Sequence, residues 1–281
     1  MDSQKKYPRT FSFEFFPPRN EEGQVKLRET VQQLAQLKPK FFSVTFGAGG
    51  STRAGTYETV RQIQAEGHQA APHISCIGTT RADVLALLDS YRRLGISHLV
   101  ALRGDLPKDA PKTGDFHFAN ELVAFIRSET GKKFTIEVAA YPEFHPEAAS
   151  AHDDIRHFVN KVRAGANSAI TQYFFNVDAY WRFVDECESL GLDVAIVPGI
   201  MPITNFKQLA RFSDACGAEI PRWIRRRLEG YGDDLDSIRA FGLDVTTELC
   251  DRLLAGGAPG LHFYTLNRAG PTCTIWERLG L

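Results

Sequence analysis

The chain has 281 residues, 43% of them hydrophobic and 24% charged, so it can bury a large core without disulfides or a structural metal. With 33 basic against 34 acidic side chains and a formal net charge of -1, it lacks the electrostatic footprint of a nucleic-acid or anionic-membrane binder, and a small-molecule partner is favoured. No run of ~20 apolar residues occurs, the N-terminus reads as no secretory leader, and Cys76, Cys187, Cys216, Cys250 and Cys273 form no CxxC, so the expectation is a cytoplasmic protein with buried structural thiols.

Taken in chain order, short β-rich runs alternate with longer amphipathic stretches, the pattern of parallel strands joined by crossover helices. Eight strands are expected, at 11–16 (FSFEFF), 41–46 (FFSVTF), 70–77 (AAPHISCI), 98–104 (HLVALRG), 135–141 (TIEVAAY), 168–175 (SAITQYFF), 193–200 (DVAIVPGI) and 260–266 (GLHFYTL). Glycines at 95, 165, 191 and 256–257 stand just before strands, where a helix end turns back toward the sheet. Residues 105–117 form a Pro- and Lys-containing loop after the fourth strand, and 218–258 hold extra helical material before the eighth. No repeat, linker or low-complexity segment divides the chain, so residues 1–281 are expected to form a single α/β domain, a (β/α)8 or TIM barrel. A doubly wound sheet would bind a dinucleotide through G-x-G-x-x-G after its first strand, but PPRNEEG stands there.

In such a barrel the carboxyl ends of all strands open on one face, where the active site lies. Polar residues gather at those ends: Glu14, Thr45, His73, Arg103 with Asp105, Tyr141 with His145, Gln172, and Asn267 with Arg268. Singly, each also reads as a satisfied polar side chain in a loop. Strand one is the most informative, because its alternation puts Phe11, Phe13 and Phe15 on one face and Ser12 and Glu14 on the other. Flanked by rings and followed by Phe16-Pro17-Pro18, Glu14 is expected to be desolvated, with its pKa raised toward neutrality, and to act as an acid. The competing reading is a buried ion pair with Arg103 or Arg268.

Around Gly104, Arg103 suits an anion and Asp105 the amino-pyrimidine edge of a heterocycle. His73 and His145 have no second ligand at metal spacing, and His68, His98, His117, His152, His157 and His262 assemble no recognisable set, so no metal is expected. Asp154 and Lys161, about two turns apart, share a helix face fit for a ribose and a phosphate, or simply for solvent. G-x-S-x-G, HExxH and the P-loop pattern do not occur. The residues by themselves point to a barrel enzyme acting on a polar heterocycle.

At FSFEFFPPR, LKPKFFSVTFGA, APHISCI, HLVALRGDLP, AAYPEFHPEA, KVRAGANSAITQYFF, VPGIMPITNFKQ and HFYTLNR the sequence closely resembles the bacterial methylenetetrahydrofolate reductases, in order and over essentially the whole chain. The resemblance implies a barrel that binds FAD non-covalently and reduces 5,10-methylenetetrahydrofolate to 5-methyltetrahydrofolate with NADH or NADPH, in one-carbon metabolism and methionine biosynthesis. It further implies no added regulatory domain and a homo-oligomer, tetramer or dimer. Glu14 matches the family's acid and Asp105 the aspartate that holds the pterin and tunes the flavin. Gln172 matches a residue touching both substrates, Gln208 and Arg268 match folate contacts, and Phe212 matches the aromatic against which the ring systems pack.

For FAD the matching positions are Thr45, Phe46, Ala48, His73, Arg103, Gly104, Asp105, Phe118, Ala119, Tyr141, His145, Asp154, His157, Asn160 and Lys161. Phe46 and Phe118 stand where relatives carry tyrosine, and His157 and Asn160 replace an asparagine and an arginine, which weakens the expected hold on the adenine and phosphates. Same-fold alternatives are a folate-dependent methyltransferase, a flavin-free reductase, and a non-catalytic folate- or flavin-binding module.

Overall fold

The structure, a computed structural model, describes residues 2–46, 53–104 and 114–281. Its strands are β1 (Thr10–Phe15), β2 (Phe41–Val44), β3 (Ala70–Ser75), β4 (His98–Leu102), β5 (Thr135–Ala140), β6 (Ser168–Thr171), β7 (Ala195–Val197), β8 (Gly199–Ile200) and β9 (Gly260–Tyr264). The helices are α1 (Asp2–Lys5), α2 (Glu21–Ala35), α3 (Arg53–Ala65), α4 (Arg81–Arg93), α5 (Ala119–Thr130), α6 (Ala151–Arg163), α7 (Val177–Ser189), α8 (Phe206–Cys216), α9 (Arg222–Tyr231), α10 (Leu235–Ala255) and α11 (Gly270–Arg278). Every strand pair is parallel, in the order β7-β6-β5-β4-β3-β2-β1-β9-β8.

The ends of that order are one strand in two pieces. β7 pairs with β6 at Ser168↔Ala195, and β8 pairs with β9 at Gly199↔His262. Pro198 between them has no N–H to give the ladder. Its carbonyl still accepts from the His262 N–H at 2.9 Å, and the Gly199 N–H turns to the Thr171 hydroxyl at 2.9 Å. The sheet therefore closes through its seventh strand into an eight-strand barrel with alternating helices, the expected TIM-barrel class.

Alternation in β1 works as expected. Phe13 and Phe15 are buried outside the barrel, Phe13 against Phe42, Phe263 and Trp276 and Phe15 stacked on Phe42 at 5.5 Å. Full burial of each such ring contributes roughly 1.5–3 kcal/mol. Ser12 and Glu14 point inward. At the opposite end of the interior, His98 Nε2 and Glu137 Oε1 form a buried hydrogen-bonded pair at 2.8 Å with the Phe41 ring against His98. The short α1, which the sequence did not suggest, packs Gln4 against the start of β7, where its amide bonds the Val194 carbonyl and the Ile196 N–H.

Several strands end earlier than the apolar runs imply: β2 at Val44 instead of residue 46, β3 at Ser75 instead of 77, β4 at Leu102 instead of 104 and β6 at Thr171 instead of 175. Just beyond these ends Thr45, Cys76, Ile77 and Gln172 each still give one N–H to the neighbouring strand, to the carbonyls of Phe15, Leu102, Arg103 and Ala140, before the chain turns away. Thr45, Arg103, Gly104 and Gln172 follow the last paired residue and lie at the mouth, while Tyr173 and Phe175 join a second apolar cluster with Leu209, Ile224, Leu228 and Ile238. The extra helical material is α9 and α10, which cover that cluster. Most of the loop expected at 105–117 lies outside the described residues. No described helix is long and apolar enough to cross a membrane.

Candidate active site

Glu14 leaves β1 facing the barrel axis, with 16% of its side chain exposed. Its Oε2 atom lies 3.3 Å from His73 Nε2 on β3, 3.5 Å from His262 Nε2 on β9 and 3.5 Å from Ser43 Oγ on β2. Both imidazole nitrogens are buried, at ion-pair distance but not aligned as hydrogen bonds, and neither has another hydrogen-bond partner among the described residues. The Glu14 backbone is pinned as well, its carbonyl accepting from the Thr265 hydroxyl at 2.6 Å.

This environment corrects the expectation of a raised pKa. Burial does push the carboxyl up, but the two imidazoles against it, His73 foremost and His262 beside it, outweigh burial and hold Glu14 at about 2. The rings and prolines near Glu14 in sequence account only for the desolvation. The competing reading, a pair with Arg103 or Arg268, is not what the described residues show: Arg103 forks onto Glu147 at 2.8 and 2.9 Å, and Arg268 is exposed.

The residues matched to FAD ring the mouth from β2 round to α6. The Thr45 hydroxyl is buried with no hydrogen-bond partner among the described residues, and Phe46 follows it half-buried. Gly104 has φ 86° and lies so close to Ser75 that a Cβ there would come 1.9 Å from its Oγ, so no side chain fits. Phe118, exposed at the start of α5 beside the buried Ala119, stacks on His157 of α6 at 5.7 Å between ring centroids. Ala48 and Asp105 lie outside the described residues.

Tyr141, His145, Asp154 and Lys161 meet in one cluster. Tyr141 and His145 make an edge contact at 4.7 Å, Asp154 accepts from the His145 N–H at 2.9 Å, and Lys161 donates to the Ala139 carbonyl at 2.5 Å. Asp154 and Lys161 thus do share a face, but each already braces the end of β5. Burial drives the Lys161 ammonium down to about 8, with Asp154 opposing and Arg103 reinforcing. Burial also lowers His145, aided by Arg103. Asn160 is exposed on α6.

Of the residues matched to substrate contacts, Gln208 and Phe212 line one groove with Met201, Pro202, Asn205 and Leu266. Asn205 caps α8 by accepting from the Gln208 N–H at 2.9 Å, which fixes the first turn, and Phe212 follows one turn on along the same face. Gln172 borders a neighbouring hollow with Tyr141, Tyr173 and Cys216, its side-chain amide oxygen Oε1 accepting from the Tyr173 backbone N–H. Leu266 and Asn267 both hold positive φ, 51° and 57°, costly for non-glycine residues. Asn267 clamps the exit of β1, accepting from the Phe16 N–H at 3.0 Å and donating to its carbonyl at 2.8 Å. Among the described residues no group of three or more His, Cys, Asp or Glu is placed to hold a metal ion.

The methylenetetrahydrofolate reductase family model matches residues 2–280. The chain is 43% identical to the 5,10-methylenetetrahydrofolate reductase of Salmonella typhimurium and to that of Escherichia coli, in each case covering 96% of this chain and 90% of the relative. The chain belongs to the methylenetetrahydrofolate reductase family. An Arabidopsis thaliana relative, methylenetetrahydrofolate reductase (NADH) 1, is 37% identical over 96% of this chain but 48% of its own length. The barrel also resembles a Clostridium thermocellum protein solved with 5-methyltetrahydrofolic acid, at TM-score 0.63 and 17% identity over 98% of this chain and 95% of that one, a likeness of fold alone.

Three features of this reductase-family site escape sequence reasoning. His262 looks like one of several scattered histidines, although the alternation Leu261-His262-Phe263-Tyr264 marks it and Tyr264 as inward-facing. Glu147, the partner of Arg103, lies across a loop with no spacing signal. Leu266 and Asn267 both turn at positive φ after β9, and only the asparagine is a residue type that favours that conformation.

Proposed function

We propose that this chain reduces 5,10-methylenetetrahydrofolate to 5-methyltetrahydrofolate with NADH or NADPH, using FAD held at the carboxyl ends of β2 to β5 and along α6. Membership of the family supports the reaction. The observation that carries the site is Glu14, an inward carboxylate whose Oε2 stands within 3.5 Å of two buried imidazoles at the barrel mouth.

The residues present fit FAD. Thr45 Oγ1 and His73 Nε2 are buried polar atoms without hydrogen-bond partners among the described residues, the Gly104 backbone admits close approach, and Phe118 with His157 forms a flat surface for a heterocycle. With Asn160 where relatives carry arginine, Arg103 and Lys161 supply the positive charge for the phosphates. When bound, FAD supplies the two-electron carrier that takes hydride from the nicotinamide and returns it to the folate.

The protein's own tasks are binding, orientation and proton handling. Phe212 and Leu266 wall the groove in which nicotinamide and folate rings take turns, with Gln208 and Gln172 as their polar contacts and Arg268 outside for the folate's carboxylates. Asp105 holds the pterin edge. Opening the folate's five-membered ring to the iminium that accepts hydride requires a proton, and Glu14 is the group that passes it. We place the reaction in one-carbon metabolism and methionine biosynthesis, in a cytoplasmic homo-oligomer.

Absorbance of the purified protein, mass spectrometry of the released cofactor and anaerobic turnover test this reading. The expected result is a yellow protein that releases FAD, is bleached by NADH or NADPH and recovers its colour on adding 5,10-methylenetetrahydrofolate. A colourless protein that still reduces the folate would place the chain with the flavin-free reductases, and a yellow one that never oxidises with folate would refute the activity.

A further inference from the structure

α8 carries Gln208 and Phe212 to the groove, yet it is lightly held, since Leu209 and Ser213 are the buried residues among its 11. Its far end is tied down from two other loops. Past β6, the Tyr173 hydroxyl lies 3.0 Å from Ser213 Oγ and accepts from Cys216 Sγ at 3.5 Å. Past β5, Pro146 packs on Gly217, which turns at φ 76° and where a Cβ would come 3.2 Å from the proline ring. In the same loop Glu143 Oε2 accepts from the Glu219 backbone N–H at 2.7 Å, just beyond the end of the helix. The other carboxylate oxygen, Oε1, is buried with no hydrogen-bond partner among the described residues. Burial raises the Glu143 carboxyl above the usual range; the Glu219 N–H opposes this, the Glu219 charge adds to it and Arg182 opposes it. As an ion the group is poorly solvated there, so its place is not explained by stability.

We infer that Glu143 is a positioning residue: it ties the end of α8 to the loop of Tyr141 and His145 and so holds Phe212 and Gln208 in place across from the flavin site, a role that rests on the function proposed above. Glu143 stands midway between Tyr141 and His145 in sequence, so one side chain joins the cofactor side of the mouth to the substrate side. Pro142 and Pro146 stiffen the loop, and the His145 N–H is bonded to Asp154 at 2.9 Å. The loop is therefore the fixed side of the tie. α8, with its single narrow buried stripe, is the side that shifts when the tie is lost. Phe212 lies four residues before Cys216 and four after Gln208, so a displacement of the helix end travels along the face that walls the groove. Nicotinamide and folate use that wall in turn. A loosened wall weakens both, equally in ground state and transition state, and raises KM with little change in kcat.

The test compares two variants of the FAD-loaded enzyme. Glu143→Ala removes the acceptor, whereas Glu143→Gln keeps an oxygen at the same reach without the charge. In Glu143→Ala the KM for 5,10-methylenetetrahydrofolate and the KM for the nicotinamide nucleotide are each expected to rise about tenfold, with kcat within about threefold of wild type. FAD affinity, read by fluorescence quenching, is expected to stay unchanged. Hydrogen exchange of the α8 amides is expected to quicken about tenfold in the same variant. Glu143→Gln is expected to bring the KM values and the exchange back to within about twofold of wild type. If Glu143→Ala does not fold, Glu143→Asp, shorter by one methylene, decides by the same readouts. Wild-type KM values and wild-type α8 exchange in the variant that folds overturn the positioning role. Loss of FAD from that variant overturns it as well, and so does a Glu143→Gln enzyme as impaired as Glu143→Ala. A wild-type enzyme that does not reduce the folate at all refutes the proposed function instead, and hydrogen exchange then decides the tie by itself.

Discussion

Replacing Glu14 by glutamine tests the electrostatics and the chemistry of the site together. The side chain keeps its size and loses its charge. A carboxyl carried from 4.5 to about 2 favours the ionised form in the fold by roughly 3 kcal/mol, at ~1.36 kcal/mol per tenfold change in proton affinity. Because the folded value is depressed, that stabilisation is fully present above the unfolded value and is lost as pH falls through the folded one, here between 4.5 and about 2. At neutral pH Glu14→Gln should therefore lower stability by about 3 kcal/mol, a fall in Tm of roughly 5 to 10 °C, with the gap narrowing on acidification. A Glu14 that were neutral at pH 7 would be mimicked by glutamine and show no such loss. Calorimetry across pH reads this part. Stopped-flow reads the other: reoxidation by the folate should fall at least ~100-fold, while FAD stays bound and its reduction by NAD(P)H persists. An unchanged Tm at pH 7 would refute the ion-pair environment, and near-wild-type folate turnover would refute the proton-transfer role.

Lys161, lowered to about 8 by burial, loses its charge as pH rises through that value, so FAD affinity measured by fluorescence quenching should weaken from below to above pH 8, and Lys161→Arg should flatten the dependence. Glu137→Gln breaks the buried pair with His98 and should cost about 3–5 kcal/mol in denaturant unfolding while leaving the turnover of the folded enzyme close to wild type. Asn267→Gly keeps the positive φ accessible but removes both hydrogen bonds to the Phe16 backbone; a stability loss of about 1–3 kcal/mol is expected, with slower folate turnover as Glu14 loosens. Unaltered unfolding in either variant would show that the contact contributes nothing.

The barrel was legible because its strands and helices follow periods that a local window of sequence displays. The strand ends were not, for a physical reason: Tyr173 and Phe175 remain apolar after β6 has left the ladder, since they serve the cluster beneath α8, α9 and α10. Glu14 could be singled out because alternation within β1 decides which way it points. Its charge state could not, because its neighbours come from β3 and β9, far along the chain, and no spacing rule ties His262 to Ser12. Barrel closure makes that connection. Pro198 splits the seventh strand so that one piece pairs with β6 and the other with β9, and β9 then pairs with β1 in the register that sets His262 beside Ser12 and under Glu14. The acid and the histidine beneath it thus belong to one site only in the closed barrel, and a slip of one residue between β1 and β9 would turn His262 outward into the ring of phenylalanines.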